Sequence, residues 1–419
     1  MEKVEKVEIG HVAPSVVLFV LSMFFLFLAL SLASCQKDDD AGGAKDESVA
    51  QTVLVYMAAE NSLSIYATYD MNSQKCDADE MLESVKAMSD NDRLVLFIDD
   101  TDLPRIYVLT NKTKASHITQ LEAYYTFPED VNSCSPVTLK QVLDWTRSHC
   151  PADEYGIVFW SHGSGWVPQP KRTFGVDNGR NVGGGVNDNV GDEMDISEMA
   201  SVLTTYPQFD FLFFDACYMQ SVELCYELRH CARHIMGSPA EIPSLGAPYS
   251  SLMYHMFTAT GANPSAMMQC YYDAFSEGGC LLSIVNCSEL DALATLTGRL
   301  LQQYNDAVPS VDWASVLNYF DYDNFHHLAD MPDCYDMFSF MKHLLSEADF
   351  SQWRETFVRA VPTRLASAYS YTVYGNRYVD IDKNEYGGLS MYVPLPKYND
   401  DFFYSEYWKT SWANKTQKQ

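Results

Sequence analysis

Two residues in this chain sit where a thiol and an imidazole could do nucleophilic chemistry together. Cys217 follows the run Phe209-Asp210-Phe211-Leu212-Phe213-Phe214-Asp215, and His162 follows Tyr155-Gly156-Ile157-Val158-Phe159-Trp160. Both runs have the length and aromatic content of strands buried on two faces. A thiolate is the reactive form of cysteine, and an imidazole beside it supplies the base it needs at neutral pH. In a parallel sheet both strands would end at one edge, where open α/β sheets bind ligands. The 55 positions between His162 and Cys217 need not separate them in space. Backbone N–H groups at Gly163 and at Cys217 itself could then hold a developing oxyanion. Helical spacing of Met219, Val222, Tyr226 and Arg229 predicts a helix directly after Cys217, whose N-terminus would favour the thiolate. Taken alone, Cys217 reads equally well as one more buried small residue.

Other elements must position these two. Thr52–Met57, Arg93–Asp99, Arg105–Leu109, His234–Ser238 and Leu281–Val285 read as further strands. Helical patterns cover about 65–88, Thr138–Ser148, Ile196–Tyr206, 265–276, 288–307 and 336–348. Strands alternating with helices predict an α/β fold, a parallel-rich sheet flanked by helices on both faces. Gly388–Pro394 is a late strand expected to return to that sheet, and the C-terminal third is either a subdomain or a sheet extension. Between Val167 and Asp195 lies a long Gly/Asn/Asp-rich loop carrying Lys171, Arg172 and Arg180.

Val16–Leu32 is an apolar run behind Lys3 and Lys6, and it ends in Leu32-Ala33-Ser34-Cys35. This is the layout of a secretory signal, residues 1–34, and the last four residues resemble a bacterial lipobox. It implies cleavage before Cys35 and lipidation of that cysteine, an uncleaved anchor being the alternative. The polar, acidic residues 35–50 read as a flexible tether. The expected location is the bacterial outer membrane, facing the periplasm or the cell surface, with contact to the membrane through the lipid alone. The chain carries 28 Lys and Arg against 56 Asp and Glu. That excess of acid argues against nucleic acid as a partner and suits cationic substrates. Ten cysteines besides Cys35 show no paired spacing, and in an oxidising compartment some could form disulfides.

Phe159-Trp160-Ser161-His162-Gly163-Ser164-Gly165-Trp166 and Asp215-Ala216-Cys217-Tyr218-Met219 resemble two sequence blocks of the clostripain-like cysteine peptidases. Val55–Leu63 and Gly388–Pro394 resemble two more, so the likeness runs from about Thr52 to at least Pro394. It implies a caspase-like fold over 51–400, with a catalytic core to about 250, a C-terminal part to 400, and 401–419 as a tail. It also implies an endopeptidase with His162 and Cys217 as its dyad, cutting protein or peptide substrates after Arg or Lys. Several such enzymes are activated by cutting between these two blocks, so Lys171, Arg172 and Arg180 become self-processing candidates. Asp215 holds the position of the acid that reads the basic side chain, and could equally cap the helix after Cys217. Glu241 could stand in for a second pocket acid, because the Gly-Trp-x-Tyr element usual there is replaced by Glu241–Tyr249. That divergence leaves two rival readings, a peptidase of non-basic specificity and a surface binding lipoprotein that kept the fold without the activity.

No cofactor is expected. Asp188, Asp192, Glu193 and Asp195 could bind calcium, though a solvated acidic loop accounts for them. Cys225, His230, Cys231 and His234 invite a zinc reading, but Cys225 and Cys231, six apart on a helical stretch, face different sides of it, which disfavours a tetrahedral site. Asp380–Asn384 begins like a calcium loop but lacks its glycine and its closing glutamate.

Overall fold

The computed structural model describes residues 50–68, 76–167, 173–179, 191–319, 335–372, 377–396 and 402–417. Signal residues 1–34, Cys35, the tether to 49, Lys171, Arg172, Arg180 and Asp188 lie outside these. Apolar runs too short for helices become strands. In chain order these are β1 (Gln51–Ala58), β2 (Arg93–Asp99), β3 (Arg105–Leu109), β4 (Tyr125–Thr126) and β5 (Glu154–Trp160). There follow β6 (Phe174–Asp177), β7 (Asp192–Met194), β8 (Phe209–Asp215), β9 (Ala232–Gly237) and β10 (Leu281–Asn286). The last five are β11 (Tyr335–Asp336), β12 (Thr363–Ala366), β13 (Tyr369–Thr372), β14 (Arg377–Asp380) and β15 (Ser390–Met391).

Among the described residues nine strands form one sheet in the order β12-β10-β9-β8-β5-β1-β2-β3-β4. The inner five, β9 through β2, are parallel. Antiparallel pairs extend the sheet at both ends. Successive residues of each inner strand enter opposite cores. Tyr56, Phe97, Phe159 and Phe214 fill one side, and Val55, Leu96, Val158 and Phe213 fill the other. Helices cover both faces, as the parallel pattern requires. Stacking of Phe159 on Phe214, with ring centroids 5.2 Å apart, locks β5 to β8 on one of those faces.

The C-terminal third extends the sheet, through β10 and β12. The late strand differs from expectation. Ser390–Met391 pairs with β11 in a small separate ladder and bridges to Ser221. The cause is Asp336, a buried carboxylate that accepts hydrogen bonds from the Gly387 and Gly388 N–H groups and holds that stretch beside β11. Residues read as a tail form helices Phe402–Tyr407 and Ser411–Thr416. Tyr407 and Trp412 are fully buried there. Gly298 is what admits the last helix, because a Cβ on it would lie 2.9 Å from the Thr416 Cα.

Candidate active site

In the sheet register Trp160 of β5 lies opposite Asp215 of β8. His162 and Cys217 each leave the same sheet edge two residues beyond that pair. Their loops touch. A Cβ added to Gly163 would sit 2.7 Å from the Cys217 carbonyl oxygen and 2.7 Å from the Met219 side chain, so only glycine fits. Gly163→Ala is therefore expected to push the His162 loop away and lower kcat/KM by on the order of 10²-fold. Near-normal activity in that variant, with the fold retained by circular dichroism, would show that this contact does not set the dyad.

The His162 Nε2 lies 3.0 Å from the Ser62 hydroxyl, which follows β1. The Asn61 side-chain amide donates to the Ala58 and Val176 carbonyls at 2.8 Å each, fixing that turn. On the other side the Gly175 N–H donates to the His162 carbonyl and the Ser164 N–H donates to the Thr173 carbonyl. These two bonds straddle Gly163 and do not use its own N–H, which an oxyanion role needs.

After Cys217 the chain turns sharply. Tyr218 has φ +59°, in the left-handed region that non-glycine residues seldom adopt. Its N–H donates to the Ala240 carbonyl. The expected helix does not begin there. It runs Val222–Glu227, and the Ser221 hydroxyl caps it by accepting from the Leu224 N–H. Spacing alone over-extended it, since Ser221 is the first residue able to cap. Cys217 therefore lies outside a helix N-terminus. Its sulfur accepts from the Ile242 N–H at 3.4 Å. Burial, then the charge of Glu241, push the thiol up to about 12. A group raised this far is thiol at neutral pH, and its thiolate fraction grows tenfold per pH unit below the pKa. Iodoacetamide labelling of Cys217 in the resting chain should thus climb about tenfold per unit from pH 7 to 10. Glu241→Gln should speed labelling at any one pH. A profile already flat above pH 8 would contradict the high value.

Asp215 is not a helix cap. Its buried carboxylate accepts from the Ala247 N–H (3.0 Å), the Tyr249 hydroxyl (2.8 Å) and the Tyr271 hydroxyl (3.3 Å). A second acid faces it. Asp77, first residue of the helix Asp77–Glu83, accepts from the Trp160 indole N–H at 2.6 Å. Gly246, at φ +66°, separates the two, and a Cβ there would lie 3.1 Å from one carboxylate oxygen and 3.3 Å from the other. Burial raises both acids, and the charge of Asp215 raises Asp77 further. Among the described residues no Lys or Arg forms an ion pair with either. Glu241 stands apart from this pair, beside the thiol, and accepts from the Tyr218 hydroxyl at 3.1 Å.

The sequence pattern of the clostripain family matches residues 55–419. The chain belongs to the clostripain family. It is 26% identical to clostripain of Hathewaya histolytica over 203 residues, 44% of this chain and 37% of that protein. The match therefore spans little more than a third of that relative. Among solved structures, an inactive zymogen C11 protease from Parabacteroides distasonis has a TM-score of 0.71 at 28% identity, covering 88% of this chain and 98% of its own. A secreted C11 cysteine protease from Bacteroides thetaiotaomicron, solved with an irreversible peptide inhibitor, gives 0.71 and 28% over 88% and 99%. The nine-stranded, mostly parallel sheet is thus the caspase-like sheet of these clostripain-family proteases.

Ser62 and Asp77 lie outside the residues that the sequence singles out for the site. Asp77 falls within the helical pattern over 65–88, of which the described parts are Ser64–Ala67, Asp77–Glu83 and a short turn at Val85–Ala87. The one available signal was an acid-rich stretch with a cysteine before it, too common to single out. Of the acids considered for calcium, Asp192 accepts from the Asn132 amide and Glu193 from the Thr173 N–H. Asp195 precedes the helix Ile196–Leu203. Among the described residues no metal-holding cluster includes Cys225, His230, Cys231 or His234.

Proposed function

We propose that this clostripain-family chain is a cysteine endopeptidase that cuts after Arg or Lys. Cys217 Sγ attacks the scissile carbonyl while His162 takes its proton, and the N–H groups of Gly163 and Cys217 hold the oxyanion. His162 then protonates the leaving amine, and water hydrolyses the acyl-enzyme. The observation that carries the basic preference is the meeting of Asp215 and Asp77 at Gly246, one turn from the nucleophile. Two buried acids with no cationic partner among the described residues favour a guanidinium or ammonium between them. A peptide library varied before the scissile bond tests this, with cleavage after Arg and Lys expected. A preference for uncharged residues there would sink it.

Self-activation by cleavage after Lys171, Arg172 or Arg180 belongs to the same reading, and full activity in a chain whose mass stays intact would remove it. The leader and Cys35 are proposed to make an outer-membrane lipoprotein. Incorporation of labelled palmitate that survives Cys35→Ser would contradict that.

A further inference from the structure

The end of the sheet that lies beyond β8 on the side away from β5 gathers cations, in a chain whose net charge is −28. Arg364 lies on β12, the last strand there among the described residues. It shares a cavity of about 580 Å³ with Lys342 of the helix Met337–Leu344, Arg354 of the helix Glu347–Ala360, and Lys383. Among the described residues no carboxylate lines that cavity. Lys342 is paired with Glu385, whereas Arg354, Arg364 and Lys383 form no ion pair with any described residue. Arg364 is the informative member. Its half-buried guanidinium lies over the Phe338 and Phe357 rings, 5.8 and 6.0 Å from their centroids. Burial, then the charge of Arg354, lower its pKa. Asp336, which acts on it in the other direction, is already committed to the Tyr319 hydroxyl and to the N–H groups of Ser339, Gly387 and Gly388. Neighbouring cations that are partly desolvated favour an anion between them.

We propose that this cavity binds an acidic peptide segment, added as an extended strand along the outer edge of β12. The edge supplies the backbone for it. The Ser367 N–H donates to the Cys280 carbonyl, so the alternation of the antiparallel β12–β10 pair turns the backbone groups of Arg364 and Ala366 outward. The Ala366 carbonyl accepts from the Tyr272 hydroxyl at 3.0 Å. The Arg364 N–H and carbonyl face the side of β12 that has no strand neighbour among the described residues. Side chains of an added strand would alternate between two faces. One face meets Arg364, Arg354 and Phe338, and the other meets Leu365 and Tyr272, which pack on the opposite core. Acidic residues alternating with apolar ones suit both. The cavity also falls in the range of roughly 300–1,000 Å³ that accommodates an organic ligand, more than a single ion requires. It stands three strands from β8, about 14 Å across the sheet. Its charge is opposite to that of Asp77 and Asp215, and it does not rest on the peptidase reading.

The test uses the full chain carrying Cys217→Ala and a short fluorescent peptide in which Glu and Val alternate, with binding read by anisotropy. Saturable binding that weakens as salt rises is expected. A peptide with Gln in place of each Glu should bind at least about tenfold more weakly, and adding Arg364→Gln to the chain should weaken the Glu peptide as much. Arg354→Glu, at an exposed helix position, should give the same loss and decides the matter if Arg364→Gln does not fold. Methylating alternate backbone nitrogens of the peptide should abolish binding for one of the two alternate sets, because it removes the donor that meets the Arg364 carbonyl. No binding of the Glu peptide, or undiminished binding to a folded variant, would overturn the proposal. Equal binding of the methylated peptides, or full displacement by millimolar inorganic phosphate at constant ionic strength, would mark a simple anion site and overturn it too. So would binding of a sulfated polysaccharide but not of the peptide.

Discussion

Replacing Cys217 by alanine is expected to lower kcat/KM for Arg and Lys ester and amide substrates by on the order of 10⁴- to 10⁶-fold. The residual rate would be what the oxyanion donors and substrate binding give without a nucleophile. Removing one sulfur from a half-buried turn costs the hydrogen bond from the Ile242 N–H but leaves the fold intact, because the surrounding loops are also held by the backbone bonds of Tyr218 and Gly175. KM should change little, which separates lost chemistry from lost binding. The same variant should also remain one uncut chain by intact mass. Turnover equal to the parent would remove Cys217 from the mechanism.

The second large effect concerns recognition. Asp215→Asn should cost on the order of 10²- to 10³-fold in kcat/KM for Arg substrates, the range for deleting one partner of a buried, hydrogen-bonded charge pair. Arg should suffer more than Lys, because a planar fork uses both carboxylate oxygens where an ammonium acts as a point charge. Substrates uncharged at that position should be nearly unaffected. Asp77→Asn should cost less, as the Trp160 indole still holds the side chain in place. A uniform loss across all substrates would mean that Asp215 only supports its tyrosine neighbours.

The inner strands were legible because parallel strands buried on both faces have no polar alternation to obscure them, and β5 and β8 read almost to the residue. His162 and Cys217 were legible for the same reason, as the polar residues that end those runs. What joins them was not. The pairing of Trp160 with Asp215, and the close fit of Gly163 against Cys217, depend on register between strands that are distant in sequence. The helix after Cys217 was placed too early because apolar spacing continues through Met219, while its start is decided by the Ser221 cap. Asp77 falls inside a helical pattern, Asp99 ends a strand and Glu60 follows one, and a one-dimensional pattern does not show that the fold buries all three carboxylates. The last helix escaped notice because six residues are too few for periodicity to declare itself.

The contact of Gly163 with the Cys217 backbone has a consequence for how much of the barrier is met before substrate arrives. On the proposed mechanism the base and the nucleophile follow adjoining strands, so the entropy of gathering them from 55 positions apart would be spent once, when the sheet forms. Their effective molarity toward each other would then be a property of the fold. On that reading, processing would have no dyad to build. What it can alter is the local field and access to solvent around a thiol held near 12. Activation in this chain would accordingly be a change in acidity rather than a change in distance.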